Sequence, residues 1–290
     1  MKILNFGSLN IDKVYAVEEI VRGGETVDSL NFSESVGGKG LNQSIAVAKT
    51  GGIITHAGCV GKDGSMLIEA LTENSVDTSF IKTIDVASGQ AIIQVDKAGQ
   101  NCIILYHGAN YEVDKAYIDE VMSHFDKDDI LILQNEISNI DYIIEVASKK
   151  SMKIYLNPSP INESLKLYDM EAISGIFVNE HEGAYLAGST DVEEILNNLV
   201  NKYPKLEIIL TFGDKGAYYR HGDCNIFQPA YKVNAVDTTA AGDTFTGYFL
   251  ALRQQGKSIE ESLNLASKAA SITVSRKGAS ISIPKLNEVI

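Results

Sequence analysis

Asp237-Thr238-Thr239-Ala240-Ala241-Gly242-Asp243-Thr244-Phe245 ends an extended segment and opens a helix whose Phe245, Tyr248, Phe249 and Leu252 share a face. Small residues just before a helix let backbone N–H groups approach a ligand closely. Those donors, with the partial positive charge of the helix N-terminus, form an anion site that needs no lysine and suits a phosphate. A carboxylate at Asp243, where such a site begins, can take the proton of a hydroxyl as that hydroxyl attacks a phosphoryl group. Asp237 and Asp243 read equally well as N-cap or first-turn acids, which many helix starts carry.

Two clusters upstream carry the same kind of chemistry. Val36-Gly37-Gly38-Lys39-Gly40-Leu41-Asn42-Gln43 precedes a helical stretch through Ile45, Ala46 and Ala48. Its glycines permit close backbone approach, and Lys39 and Asn42 offer donors. It is not a dinucleotide fingerprint, because Gln43 stands where the last glycine of GxGxxG belongs. A Walker A loop is absent too: Gly256-Lys257-Ser258 has Ala251 in place of the first glycine. The other cluster, Gly7-Ser8-Leu9-Asn10-Ile11-Asp12, closes the first strand, where ligand crevices form in open α/β sheets. Asn10 and Asp12 can bind sugar hydroxyls there, or can simply be turn residues.

Beyond these clusters, apolar β-type runs alternate with amphipathic segments: Lys2 to Phe6, Ile53 to Val60, Asp129 to Leu133, Lys153 to Leu156, Gly175 to Val178 and Leu206 to Thr211. That order predicts an α/β fold with a mostly parallel central sheet flanked by helices, in a single domain over 1–290. Thr190 and Glu193 have capping-box spacing ahead of an apolar stripe of Val192, Ile195, Leu196, Leu199 and Val200, which predicts a scaffold helix ending at Pro204. The polar stretch Val21 to Ser35, and the runs Ala91 to Asp96 and Asn101 to Tyr106 joined by Lys97-Ala98-Gly99-Gln100, read as hairpin material. They predict a small separate β-sheet lid over a cleft, formed by 13–36 and 90–107.

Whole-chain properties narrow the function classes. With 38 acidic against 25 basic residues the formal charge is −13, which argues against a nucleic-acid or anionic-membrane surface while leaving small anions open. No apolar run is long enough to span a membrane, and MKILNFGSLN lacks the features of a signal peptide, so a cytoplasmic protein is expected. Cys59, Cys102 and Cys224 are far apart and predict buried free thiols. His56, His107, His124, His181 and His221 show no metal-ligand spacing and read as surface or packing residues.

Taken in order, GSLNID at 7–12, GETV at 24–27, GGKGLNQ at 37–43, GQN at 99–101, GAN at 108–110 and DTTAAGDTF at 237–245 resemble the ribokinase family of carbohydrate kinases, also called the PfkB family. Gln134 with Glu136, Asn157-Pro158-Ser159-Pro160, Asn179 with Glu182, Thr211-Phe212-Gly213-Asp214-Lys215-Gly216 and Arg276-Lys277-Gly278-Ala279 extend the similarity to Pro284. Each motif alone is weak; the ordered set is specific.

The resemblance implies a ribokinase-like fold and ATP-dependent phosphorylation of a sugar primary hydroxyl, with ribose and its 5-hydroxyl the first choice. The sugar is then held by Asn10, Asp12, Gly38, Lys39, Asn42 and Glu136 beneath the lid, with Asp243 as general base. The backbone of Ala240, Ala241 and Gly242 becomes the anion hole. Asn179, Thr211, Gly213, Lys215, Gly216, Gly242 and Ser267 are implied to contact ATP, and Glu182 to order Mg2+ through water. A monovalent cation, K+, maps to Asp237, Thr239, Thr273, Arg276, Gly278 and Ser282. Family likeness also implies a homodimer through the lid.

Some positions depart from the family pattern. Tyr106-His107 stands before Gly108 where a proline is usual, Gly23 replaces the proline before GET, and Ser267 stands where an asparagine is common. Two of these lie in or near the lid, which bears on sugar choice. Kinases of deoxyribose, fructose, tagatose phosphate or a nucleoside, and a non-catalytic sugar-binding protein, are the alternative readings.

Overall fold

The apolar runs become strands because helices cover the sheet on both faces, so successive residues are buried alternately on either side. In the computed structural model, which describes residues 1–290, the strands are β1 (Ile3–Phe6), β2 (Asn10–Ala16), β3 (Asn31–Gly37), β4 (Ile54–Gly61), β5 (Asp77–Ile84), β6 (Gly89–Val95), β7 (Asn101–Tyr106), β8 (Ile130–Gln134), β9 (Lys153–Asn157), β10 (Gly175–Asn179), β11 (Glu207–Thr211), β12 (Gly216–His221) and β13 (Cys224–Pro229). The helices are α1 (Lys39–Lys49), α2 (Ser65–Glu73), α3 (Lys115–Met122), α4 (Ile140–Lys149), α5 (Glu180–Ala187), α6 (Val192–Lys202), α7 (Ala241–Gln254), α8 (Ile259–Val274) and α9 (Leu286–Val289). The six expected strand runs all fall within one residue of their predicted ends.

The nine-stranded sheet runs β13-β12-β11-β10-β9-β8-β1-β4-β5, parallel except where β12 and β13 join as a hairpin. On one face Leu4, Phe6, Leu131, Leu133, Ile176, Val178 and Leu210 pack with α3, α4 and α6. On the other, Ile3, Ile132, Phe177 and Ile209 pack under α1, α2, α7 and α8. Asn5 and Gln134 are polar, fully buried members of the second face, and they lie beneath the start of α1.

The second sheet has the order β3-β2-β6-β7, with β2 parallel to β6 and the other pairings antiparallel. The β6–β7 hairpin turns at Lys97–Gln100 as expected, but within Val21–Ser35 only the part from Asn31 onward is strand. That strand pairs with β2, and the sheet therefore begins at Asn10, so Asn10 and Asp12 lie on a strand and not in a turn. Backbone pairing to both Gly37 and Gly89 fixes Asn10 there, a constraint that local turn propensity does not contain.

Two further expectations are corrected. The cap of α6 is Asp191, whose carboxylate accepts the Glu194 N–H, so the helix start is one residue beyond the Thr190–Glu193 spacing; an ionised acceptor suits the positive helix end better than a hydroxyl. Helix α7 carries Phe245, Tyr248, Phe249 and Leu252 buried as its apolar pattern implies, and, wedged between α1 and α8, it is buried on its other sides too from Asp243 to Leu252. Of the cysteines only Cys59 is buried; Cys102 and Cys224 are exposed on the edge strands β7 and β13.

Candidate active site

The C-terminal ends of β1, β8, β10 and β11 and the starts of α1, α5 and α7 converge on one crevice. Ala240 takes a left-handed conformation (φ 61°) and opens α7. The Ala241 N–H turns back to Thr238 O at 3.3 Å, a long bond, while the N–H groups of Ala240, Gly242 and Asp243 meet no acceptor in the chain. The three predicted anion-hole residues are thus all at the helix start, and the free donors there are those of 240, 242 and 243.

Asp243 sits in the first turn, 8 % exposed, and accepts from Asn42 Nδ2 at 3.1 Å and from Gln43 Nε2 at 2.9 Å. These bonds exist because α1 and α7 touch: a Cβ on Gly247 would lie 2.4 Å from Ala46 Cβ and 2.7 Å from Gln43 O. Only glycine allows that approach. Burial pushes the Asp243 carboxyl up to about 6, against Lys39 and the two amide donors, which lower it; Glu136 adds to the rise. A carboxylate poised there is ionised at neutral pH yet basic enough to accept a proton.

Lys39, the first residue of α1, pairs with Glu136 at 2.5 Å, and its own N–H reaches the same carboxylate at 3.3 Å. Ser8 donates to the other Glu136 oxygen. Burial works to lower the Lys39 amine, but Glu136 and Asp243 outweigh it and hold the ammonium charged. Asn10 Oδ1 accepts from Asn110 Nδ2 at 2.8 Å, and Asn110 also bonds both backbone groups of Leu9, which ties the start of β2 to the loop after β7. Asp12 lies against Gly37, its carboxyl raised to about 7 by burial and then by Glu136, with Lys39 opposing. Gly38 (φ 95°) packs on Ser8 O. Asn10, Asp12, Gly38, Lys39, Asn42, Glu136 and Asp243 are therefore one cluster, drawn from the small sheet, α1 and the residue before it, the loop after β8 and α7.

A cavity of 180 Å³ adjoins it, walled by Lys39, Asn179, Glu182, Thr211 and residues 240–243 among others. Asn179 and Glu182 form a reciprocal capping box at the start of α5: Asn179 Oδ1 accepts the Glu182 N–H and Glu182 Oε2 accepts the Asn179 N–H at 3.0 Å. The free Glu182 oxygen is a hard ligand of the kind that holds a magnesium-bound water. Gly213, Lys215, Gly216 and Ser267 are outside these walls. Lys215 lies 4.5 Å over the Phe212 ring, Ser267 is buried on α8, and Gly216 has φ 133° and packs against Gln228 O.

The residues matched to a monovalent cation surround the loop that leads into α7. Asp237 accepts from Thr239 N at 2.9 Å and Gly278 N at 3.0 Å; burial raises its carboxyl, but these bonds prevail and hold it below the usual range. Thr273 Oγ1 meets Thr244 Oγ1 at 3.1 Å, and Ser282 Oγ donates to Ala279 O. The Arg276 side chain turns instead to Glu288 at 2.7 Å, so only its backbone could serve an ion.

Four supporting residues were quoted in sequence motifs without a role: Ser8, Gln43, Asn110 and Gln134. Their signal was position inside GSLNID, GGKGLNQ, GAN and the strand-end pair with Glu136, while their partners are distant in sequence.

The site thus pairs a buried carboxylate with unpaired backbone N–H groups at a helix start, on a mostly parallel α/β sheet with a smaller four-stranded sheet beside it. The sequence pattern described as pfkB family carbohydrate kinase matches residues 1–286, and the chain belongs to that family of sugar kinases. A ribokinase of Schizosaccharomyces pombe is 36% identical, with 100% of this chain and 96% of the relative covered. The crystal structure of a Cryptococcus neoformans ribokinase in complex with ADP is similar with a TM-score of 0.87 at 32% identity, covering 99% of this chain and 98% of that one. An Arabidopsis thaliana ribokinase complexed with ribose and ATP has a TM-score of 0.87 at 29% identity, covering 99% and 96%.

Proposed function

We propose that the chain transfers the γ-phosphoryl group of ATP to the primary hydroxyl of a sugar, ribose in the first instance, giving ribose 5-phosphate and ADP. The observation that carries this reading is the buried Asp243 carboxylate, which faces Lys39 and Glu136 on one side and free backbone N–H groups of its own helix turn on the other. The likeness to ribokinases, including one complexed with ribose and ATP, supports the choice of substrates.

Asn10, Asp12, Lys39, Asn42 and Glu136, with the backbone at Gly38, hold the sugar hydroxyls so that O5 points at Asp243. Asp243 takes the O5 proton as the O5–phosphorus bond forms and the bond from phosphorus to the bridging oxygen of ADP breaks. The N–H groups around 240–243 stabilise the charge on the transferred oxygens; removing one such donor from a dry site costs about 3 kcal/mol. Asn179, Thr211 and the Gly213–Gly216 turn border the nucleotide, with Ser267 behind them. Mg2+ bound with ATP would offset phosphate charge, and Glu182 would hold it through water. Carbonyls around Asp237, Thr239, Thr273, Arg276, Gly278 and Ser282 offer K+ a site against the same helix start.

The small sheet exposes Phe32, Ile104 and Tyr106 on one face and Ile103 and Leu105 on the other, apolar surface that supports pairing with the same sheet of a second copy. Coupled ADP release from MgATP, with ribose, deoxyribose, fructose, tagatose and nucleosides and with or without potassium, tests the function. Ribose turnover that is lost in Asp243→Asn, with sugar binding kept, is expected. Near-normal turnover in that variant overturns the role of Asp243, and no turnover on any sugar overturns the kinase reading.

A further inference from the structure

We propose that Gln43, itself fixed by Gln134, is the positioning residue that orients the Asp243 carboxylate and holds it ready to take a proton. The inference rests on the reading of Asp243 as the base, and it concerns a buried polar chain that makes no contact with the crevice walls named above except at its end.

The chain can be followed atom by atom. Gln134, at the end of β8, donates from one Nε2 to Asn5 Oδ1 at 3.0 Å and to Gln43 Oε1 at 2.7 Å. With its oxygen so engaged, Gln43 must present Nε2 to Asp243 Oδ1, at 2.9 Å. Asn5, its oxygen engaged by Gln134, donates to Gly40 O at 2.8 Å and to Ser44 Oγ at 2.9 Å. Ser44 Oγ lies 2.8 Å from His56 Nδ1, and His56 Nε2 lies 3.3 Å from Gly7 O. A carbonyl only accepts, so Nε2 carries the hydrogen, Nδ1 accepts, and the Ser44 hydroxyl donates to it. Burial drives the His56 ring down to about 4, partly offset by Gly7 O, so it stays neutral wherever the enzyme works.

Every amide orientation from Gly7 O to Asp243 is thereby determined, although an isolated asparagine or glutamine could flip. Asn5, Gln43, Ser44, His56 and Gln134 are all buried, and so expensive a set of polar groups in a core is retained where it specifies geometry. Its output is a single N–H on Oδ1, opposite the Asn42 bond on Oδ2, which leaves the remaining lone pairs of the carboxylate for a substrate hydroxyl. The charged groups that face Asp243 from the other elements are Lys39 and Glu136, with Glu182 acting on Lys39. Gln43 is the neutral donor that favours the ionised form without adding a charge near a phosphate.

The test compares kcat against pH, at saturating sugar and MgATP, for the wild type, Gln43→Met, Gln134→Met and the double variant. Gln43→Met removes the donor at nearly constant volume, so the acid limb of kcat is expected to move up by about one pH unit, a loss of about tenfold on that limb, with sugar KM within about threefold of wild type. Gln134→Met, which reaches Asp243 only through Gln43, shifts the limb the same way by less. The double variant shifts it no further than Gln43→Met, because both act through one chain. Gln43→Glu keeps acceptance from Gln134 and sets a second carboxylate against Oδ1; it moves the limb further up and serves should the methionine variant not fold. Limbs that superimpose on wild type, or a double variant whose shift is the sum of the singles, overturn the proposal. Turnover retained in Asp243→Asn instead removes the base itself, so the two failures are told apart.

Discussion

Replacing Asp243 by Asn should make the protein more stable while it ends catalysis, because the proposed base is a buried carboxylate whose charged form is poorly solvated. Its folded value of about 6 lies above the ordinary 3.8, with burial the leading cause. The folded state therefore binds the proton more tightly than the unfolded chain: the penalty is absent below about pH 4, accumulates as pH rises through 6, and is complete above it. A rise from 3.8 to about 6 corresponds to about 3 kcal/mol at pH 8. Asparagine has the same shape, keeps an oxygen to accept from Gln43, and can donate to Asn42 Oδ1, which is buried without a partner, once the Asn42 amide rotates. With 290 residues unfolding, about 2.1 cal/mol/K per residue turns that into a gain in Tm of about 5 °C. Calorimetric melts of ligand-free wild type and Asp243→Asn between pH 4 and 8 read it directly, and the difference cancels titrations common to both. A variant that melts at or below wild type at pH 8, or a gain undiminished at pH 4, would refute the reasoning.

Two more perturbations probe the sugar side of the site. Asp12, raised to about 7 by burial and then Glu136, should lose its charge-assisted bonds to sugar hydroxyls as pH falls, so sugar affinity by calorimetry weakens about tenfold from pH 8 to pH 6; an equally pH-dependent Asp12→Asn would contradict this. A methyl group at Gly89 would lie 2.1 Å from Asn110 Nδ2 and 2.2 Å from Asn10 Oδ1, breaking their 2.8 Å bond. Gly89→Ala is expected to cost about 1–3 kcal/mol in stability and to weaken sugar binding measurably, and unchanged binding would show that Asn10 is not held for that purpose.

The sequence alone misses β5, β12 and β13 but carries the other six of the nine strands of the large sheet, the α/β class and the start of α7. These are local: apolar runs of strand length, small residues before a helix, and ordered motifs are all written in neighbouring positions. The small sheet was legible as two strand-forming regions, but not its pairing, since β2 joins β6 from seventy-odd positions away and brings Asn10 and Asp12 into the sheet. The acid side chains were legible as candidates, whereas what makes Asp243 a plausible base was not. Gln43 stands 200 positions from Asp243, and the two meet only because α1 and α7 cross at Gly247 and exclude water from the carboxylate. Periodicity records which face of a helix is apolar; it does not record which distant helix will lie against it. Burial, the charge pair of Lys39 and Glu136, and the hydrogen bonds that orient the Asp243 carboxylate are properties of that packing, so only the tertiary structure decided them.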